Sequence, residues 1–447
     1  MPTAAAPPAS PYQTAYASLA RDTEQQPAWL RDLRRSAMER FAVLGFPTAR
    51  RGNEPWKYTN VAPIAQAALA LDAVAGAVTL AHLKRLAPWR DSWPRLVFVD
   101  GRYNAKLSSC HSLPRGVRVH TLTDALAADP ASLEPHLGRI APWANDAFCA
   151  LNTAFLADGA IVSIAPGAVL EELVHILHVV TDRAGAIAVH PRTLIVAGDR
   201  SRAAIIETFV STSGAAYFTN AVTEIIAAPN AQIAHVKLML EGAASYHVGG
   251  TYVRQAQDSA FSSSSISAGA ALARNNLAVT LAAAGASCNL SGLSLTAGSQ
   301  HLDNTLSVDH AAPHTTSRQL YKGILDGQSR AVFVGRVLVR EGAAKADAVQ
   351  RSKNLLLSRG AEIDAKPSLE ILTDDVKCSH GATAGELDQS ALFYLMSRGL
   401  PRDAARSLLV QAFASEIIQS LAIAPLRTWL DRRLALPLAT RHNEVPA

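Results

Sequence analysis

Leu302-Asp303-Asn304-Thr305-Leu306-Ser307-Val308-Asp309-His310 is the stretch on which the fold turns. Leu302, Leu306 and Val308 share one side of an extended segment, and Asp303, Thr305, Ser307 and Asp309 share the other, because side chains alternate across a strand. The alternation returns in Ser317–Leu325. Asp326-Gly327 breaks the chain again before Ala331–Val339.

The same pattern extends outward from there. Upstream lie Ala160–Ile164, Leu173–Val180, Thr193–Ala197, Ala203–Val210, Asn220–Ala227, Ile233–Leu240, Tyr246–Arg254, Ala260–Ser267, Leu277–Ala282 and Ser287–Leu295. Downstream lie Lys353–Ser358 and Ser368–Leu372. Pro166-Gly167, Gly198-Asp199, Pro229-Asn230 and Gly285 separate them, and no helical pattern of useful length interrupts the run. So many short strands in series mean a sandwich, a barrel or a solenoid. Small residues crowd the turns, as stacked rungs require, although no strict repeat is present. The expected core is a β-solenoid over residues 158–384.

A chain of 447 residues exceeds most single domains, so flanking parts are expected. Residues 1–157 read as a helical, mixed N-terminal region. Residues 1–12, rich in Pro and Ala, read as a loose tail. Pro27–Leu44 reads as an amphipathic helix on Leu30, Leu33, Ala37, Phe41 and Leu44, stopped by Gly45. Arg51 to Thr59 is a polar, aromatic loop, in which Trp56 and Lys57 suggest either a ligand clamp or an anchor for the loop itself. Arg95–Val99, Asp100-Gly101 and Arg102–Leu107 read as a hairpin with a type I′ turn. Pro142–Leu156 reads as a helix. In residues 385–447 three helices are expected. Asp388 caps the first, through about Ser397. The second runs from Pro401 to about Leu421 on a stripe of Ala405, Leu408, Leu409, Ala412, Phe413 and Ile417. The third spans Leu426 to Leu434.

Composition removes several functions. The net charge of +5 is spread along the chain without a basic block, so nucleic-acid binding has little support. No apolar run reaches transmembrane length and no signal-type N-terminus is present, which implies a soluble cytoplasmic protein. Cys110, Cys149, Cys288 and Cys378 form no CxxC pair, which argues against a disulfide scaffold and a self-contained zinc site. No GxxxxGK[ST] loop occurs, so the chain itself should not hydrolyse ATP.

Two constellations remain. His301, Asp303, His310 and His314 resemble a zinc or non-haem iron ligand set, which would make the chain a metal-dependent enzyme on a solenoid. Strand alternation accounts for them equally well, as polar residues on the outside. Cys378 and His380, two apart, would point to the same side of a strand. Both side chains ligate soft or borderline metals, but two ligands do not close a site. On spacing alone, a buried Cys beside a backbone-bonded His is the simpler reading.

Asp374-Asp375-Val376-Lys377-Cys378-Ser379-His380-Gly381-Ala382-Thr383 and the helices beyond it resemble the SufB/SufD family of iron–sulfur cluster assembly scaffolds. Ser317 to Gly323, Ala331 to Gly335, Lys353 to Ser358, Ala361 to Pro367, Leu392-Phe393-Tyr394-Leu395 and Glu54-Pro55-Trp56-Lys57-Tyr58-Thr59 extend the match. The Lys377 to Thr383 wording resembles the SufD form, with Gly381 where SufB-like chains have an acidic residue. The resemblance implies a right-handed parallel β-helix. It implies a non-catalytic subunit that meets a SufB-like partner through the β-helix end near 374–384. It also implies that the C-terminal helices dock a SufC-type ATPase. By the same resemblance His380 would help hold a nascent cluster as transient iron shared with the partner chain, with Cys378 close by. That turns the Cys–His pair from a structural to a functional reading. No cofactor is then expected to stay on the isolated chain, and its homodimerisation is left open. Arg274 and Asn276 are candidates for serving an internal tunnel.

Overall fold

The computed structural model describes residues 11–440 except 51, 72–74, 111–112, 183–185 and 213, with side chains to 434. Residues 1–10 of the expected tail and Arg51 of the expected loop lie outside the described residues. Pro11 opens α1 (Pro11–Asp22), a helix that the periodicity did not announce. α2 (Ala28–Leu44) is the expected amphipathic helix and stops at Gly45, whose φ is 61°. Short α3 (Ala62–Gln66) and α4 (Leu80–Leu86) follow. The hairpin is formed by β1 (Arg95–Val99) and β2 (Arg102–Tyr103). Asp100 and Gly101 both have positive φ, 50° and 81°, as a type I′ turn demands. Its second arm is only two residues long, not six. β3 (Val117–Thr121) and α5 (Leu122–Ala128) lead to α6 (Ala147–Ala154), which is capped by Asp146 and shorter than Pro142–Leu156.

The solenoid starts with β4 (Ala160–Ile164), β5 (Val174–Val180), β6 (Ala188–Val189), β7 (Arg192–Ala197), β8 (Arg202–Ser211) and β9 (Phe218–Ala227). It continues through β10 (Gln232–Leu240), β11 (Tyr246–Gln255), β12 (Ala260–Ser267), β13 (Leu272–Leu281) and β14 (Ser287–Thr296). β15 (His301–His310), β16 (Thr316–Leu325), β17 (Arg330–Val339), β18 (Asp347–Leu356), β19 (Glu362–Ile371) and β20 (Lys377–Gly385) complete it. Even-numbered strands from β8 to β20 stack in one parallel sheet and odd-numbered strands from β7 to β19 in the other. Each coil therefore contributes one strand to each sheet, giving a parallel β-solenoid of about eight turns. Stacked partners lie 26 to 33 residues apart, from Tyr246 with Leu272 to Ala160 with Thr193. The variable coil length is why no strict repeat can be seen in the sequence. β13, β18 and β19 begin earlier than Leu277, Lys353 and Ser368, where alternation first shows.

One corner of the solenoid explains the turn residues. Arg200, Asn230, Asp258, Gly285, His314 and Lys345 occupy equivalent positions in successive coils, with φ between 52° and 74°. Each donates its backbone N–H to a carbonyl of the next coil's turn; His314, for example, donates to Ala344 O at 2.9 Å. Asn, Asp and His tolerate left-handed geometry better than most residues with side chains. Inside, Ile205, Ile233, Phe261, Leu277, Leu290 and Leu306 pack part of the lumen with apolar side chains.

α7 (Gln389–Ser397), α8 (Arg402–Ser420) and α9 (Ala424–Thr440) close the chain. Asp388 caps α7 by accepting from Ser390 and Ala391 N–H. α8 buries Ala405, Val410, Ala414, Ile417 and Ile418, of which the last four pack with Leu421 over the outer face of the even-numbered sheet. The expected stripe is therefore rotated: Leu408 and Ala412 face water. Among the described residues no helix is long and apolar enough to cross a membrane.

Candidate functional site

His301 and Asp303 stand on the outer face of β15 and face the N-terminal loop. Thr59 Oγ1 donates to Asp303 Oδ2 at 2.5 Å and lies 3.0 Å from His301 Nε2. Arg274, inside β13 in the next coil, donates from Nη1 to Asp303 Oδ2 and to Pro55 O, each at 2.7 Å. Its guanidinium lies 3.9 Å from the centre of the buried Trp56 ring. A cation on an indole face, paired with a desolvated carboxylate, is a strong fixing contact. Trp56 is thus an anchor: Arg274 grips the Glu54–Thr59 segment on the outer face, and Asn276 Oδ1 steadies Arg274 by accepting from its Nε at 3.0 Å. They do not line a tunnel. Lys57 is exposed, over the Tyr58 ring.

The four-residue metal set does not assemble. His310 points into the solenoid at the other end of β15, where its ring nitrogens meet Thr315 Oγ1 at 2.8 Å and Ser317 Oγ at 2.9 Å. It lies nine positions along the strand from His301, roughly 30 Å at the usual rise. His314 is one of the left-handed corner residues. Among the described residues no group of three or more His, Cys, Asp and Glu could hold a metal ion.

Cys378 and His380 do share a side. β20 pairs with β18 so that Cys378 sits on Ala348 and His380 on Gln350. Both positions belong to the inward-facing line, since Gln350 is fully buried and bonds Gln319 within the lumen. Among the described residues no strand is stacked beyond β20 in its sheet or beyond β19 in the other. The lumen is therefore open here, and inward-facing His380 is exposed. Cys378 is half-buried against Leu369 and Val376 at the edge of a small cluster with Val337, Val339 and Ala348. Burial pushes its thiol above the ordinary range, and Asp347 adds to this, so it stays protonated near neutral pH. The half-site offers one imidazole and one reluctant thiol to whatever faces the open end. Exposed Ile371 and Leu372 lie on its rim.

One further surface escaped the strand and helix patterns. Phe393, Tyr394, Met396, Leu400 and Leu408 leave large apolar side chains exposed on α7, the following turn and α8. Their sequence signal was present in Leu392-Phe393-Tyr394-Leu395, but a helix pattern alone does not say which side is bare. Arg406 on α8 donates to Leu357 O at 3.0 Å and ties the helix to the solenoid. Lys322 is buried under α8 and pairs with Glu416 and the Phe413 carbonyl.

Comparison with known proteins matches most of the chain. The family described as "SUF system FeS cluster assembly, SufBD core domain" matches residues 178–413, and "SufBD protein N-terminal region" matches residues 9–176. An iron–sulfur cluster assembly SufBD family protein of Synechocystis sp. is 34% identical, covering 88% of both chains. The iron–sulfur cluster assembly protein SufD of Escherichia coli is 32% identical over 86% of this chain and 87% of its own. SufD of Bacillus subtilis is 26% identical over 92% and 94%. With both regions matched and the solenoid in place, the chain belongs to the SufBD family of the SUF iron–sulfur cluster assembly system.

Proposed function

We propose that this chain is a non-catalytic, SufD-like scaffold subunit of a SufBCD-type complex in the cytoplasm. The iron–sulfur cluster is its cargo, held briefly at a seam with a SufB-like subunit. Family membership supports a part in cluster assembly. The observation that carries the finer reading is the uncovered last coil, which presents His380 and Cys378 from one strand face. Two ligands on an open end suit a site completed by a second chain. A neutral imidazole also releases iron more readily than a thiolate does, which suits a site that must hand over its cargo. The bare apolar surface of α7 and α8 supports docking of a SufC-like ATPase there.

The test is iron and sulfide content of a complex reconstituted with the SufB-like and ATPase subunits. His380→Ala is expected to lower loading more than Cys378→Ala, because the Cys378 proton must be displaced before sulfur can bind iron. Both side chains sit on an edge strand, so circular dichroism should show intact folding. Normal loading in folded His380→Ala complex would remove His380 from the site. Equal losses would mean the two residues act as a pair.

A further inference from the structure

Beside its apolar packing, the solenoid lumen carries a seam of polar groups. Glu207 accepts from Thr193 Oγ1 at 2.6 Å and Thr223 Oγ1 at 2.7 Å, and lies 2.8 Å from His235 Nε2. Glu241 accepts from Thr219 at 2.7 Å and lies 2.7 Å from His247 Nδ1. Lys237 stands with these two carboxylates, yet its Nζ bonds no protein group, and neither does His247 Nε2. Both nitrogens converge on Gly249. A Cβ there would meet Lys237 Nζ at 2.3 Å and His247 Nε2 at 2.7 Å, so the two are no more than about 5 Å apart. A side chain at 249 would close the space that they face.

The seam continues through the next two coils and then steps sideways, because Phe333 stacks on Asn304 and the room lies two residues along β17, at Gly335. Asn275 stacks on Gly249, and Asn304 on Asn275. Asn304 Nδ2 reaches across to Ser294 Oγ at 2.9 Å, but the Oδ1 atoms of both asparagines bond no protein group. Further along, Gln350 Nε2 donates to Gln319 Oε1 at 2.8 Å, leaving Gln319 Nε2 and Gln350 Oε1. Gly335 makes room for this pair, since a Cβ there would lie 2.2 Å from Gln350 Nε2. Gln350 is in register with His380 at the open end. All six residues are at least 95% buried, and buried polar groups are very seldom left without partners.

The chemistry of these atoms selects their partner. Lys237 Nζ and Gln319 Nε2 donate. The three amide oxygens accept, and so does His247 Nε2 when its Nδ1–H serves Glu241. An anion would leave the acceptors unserved and a cation would leave the donors so. Water both donates and accepts, and typically makes about three such bonds when buried. We propose that a column of bound water runs up the inside of the solenoid from Lys237 and His247 to the open end at His380, and that it conducts protons between them. Along it each water accepts one proton and passes one on, so a single proton is moved and no other bond changes. Lys237 is suited to the inner end: burial lowers it to about 8, against the opposing pull of Glu207 and Glu241.

The inference stands independently of the scaffold reading, because its test does not measure cluster loading. A high-resolution crystal structure of the full chain should show ordered water on Lys237 Nζ, Asn275 Oδ1, Asn304 Oδ1 and Gln350 Oε1. Direct pairing of these groups, with no water between them, would overturn the proposal. Nuclear magnetic resonance of lysine labelled at Cε and Nζ, assigned with Lys237→Arg, reads proton exchange at the inner end. Asn304→Leu plugs the middle of the seam and should slow that exchange roughly tenfold or more. Unchanged exchange in an Asn304→Leu chain of native circular dichroism would overturn the conduction half. If that variant does not fold, Gln350→Leu tests the same path nearer its mouth.

Discussion

His178 is held neutral in a stack. Its ring lies 5.1 Å from Phe98 and 4.9 Å from Phe209, nearly parallel to both, and its Nε2 bonds no protein group. Burial lowers its pKa to about 4, although Glu207 and Glu241 pull the other way. An unfolded imidazole titrates near 6.5. Between those values the unfolded chain binds a proton that the folded chain refuses, so this contribution to stability is lost as pH falls from about 6.5 towards 4. The shift corresponds to roughly 3 kcal/mol at full extent. His178→Phe keeps the stacking and removes the titration. Urea midpoints at pH 7 and pH 4.5 should lie closer together in that variant than in the parent. Some slope will persist, because desolvation lowers His175 and His190 each to about 3. An unchanged gap between the midpoints would show that His178 does not set the acid sensitivity.

Among the elements, α7 to α9 are the separable ones. Their buried stripe rests on Ile206, Val236, Ile266, Leu293 and Ile324 of the even-numbered sheet, whose inner face is packed independently. A chain ending at Gly385 should keep its solenoid and its capture of a SufB-like subunit but lose capture of the ATPase, measured by pull-down with each partner. ATPase capture by the shortened chain would refute docking through these helices. The strands were legible because a period of two shows within five residues. Their ends were not, and β19 shows why. Pro367 made Ser368 look like a strand start, yet it pairs with Gly335 inside a strand that begins at Glu362. β19 is an edge strand, where the missing N–H can face away from its neighbour. On α8, Leu408 fits an apolar stripe by spacing, but the sheet beneath selects Val410, Ala414 and Ile418. In the site, the i,i+2 spacing placed Cys378 and His380 on one face correctly. The Arg274–Asp303–Trp56 anchor was illegible, because it joins residues more than two hundred positions apart, which no local period records.

The whole molecule is asymmetric along its axis. At the N-terminal end Leu96 and Phe98 of β1 and Val117 and Val119 of β3 close the apolar packing of the lumen, while α1, α2 and α6 lie on the outer face of the odd-numbered sheet. At the other end β19 and β20 leave unpaired strand edges and an apolar rim, which is the arrangement most prone to adding another strand. The isolated chain is therefore expected to self-associate through this end at high concentration. Ile371→Lys changes an exposed rim position, so it should leave folding intact and weaken association roughly tenfold, as read by sedimentation velocity. Equal association of both chains would clear the rim of that role.

Each coil beyond the first lies on one made earlier in the sequence, with partners about 30 residues back. Such a stack can only be extended from a finished rung, since a lone coil has nothing to pair with. Chains leave the ribosome N-terminus first and fold in that direction. The coil bearing Cys378 and His380 is accordingly the last solenoid rung to emerge. A growing chain would present Cys378 and His380 only after every rung beneath them is laid, so a stalled or truncated product would carry the tower without its summit.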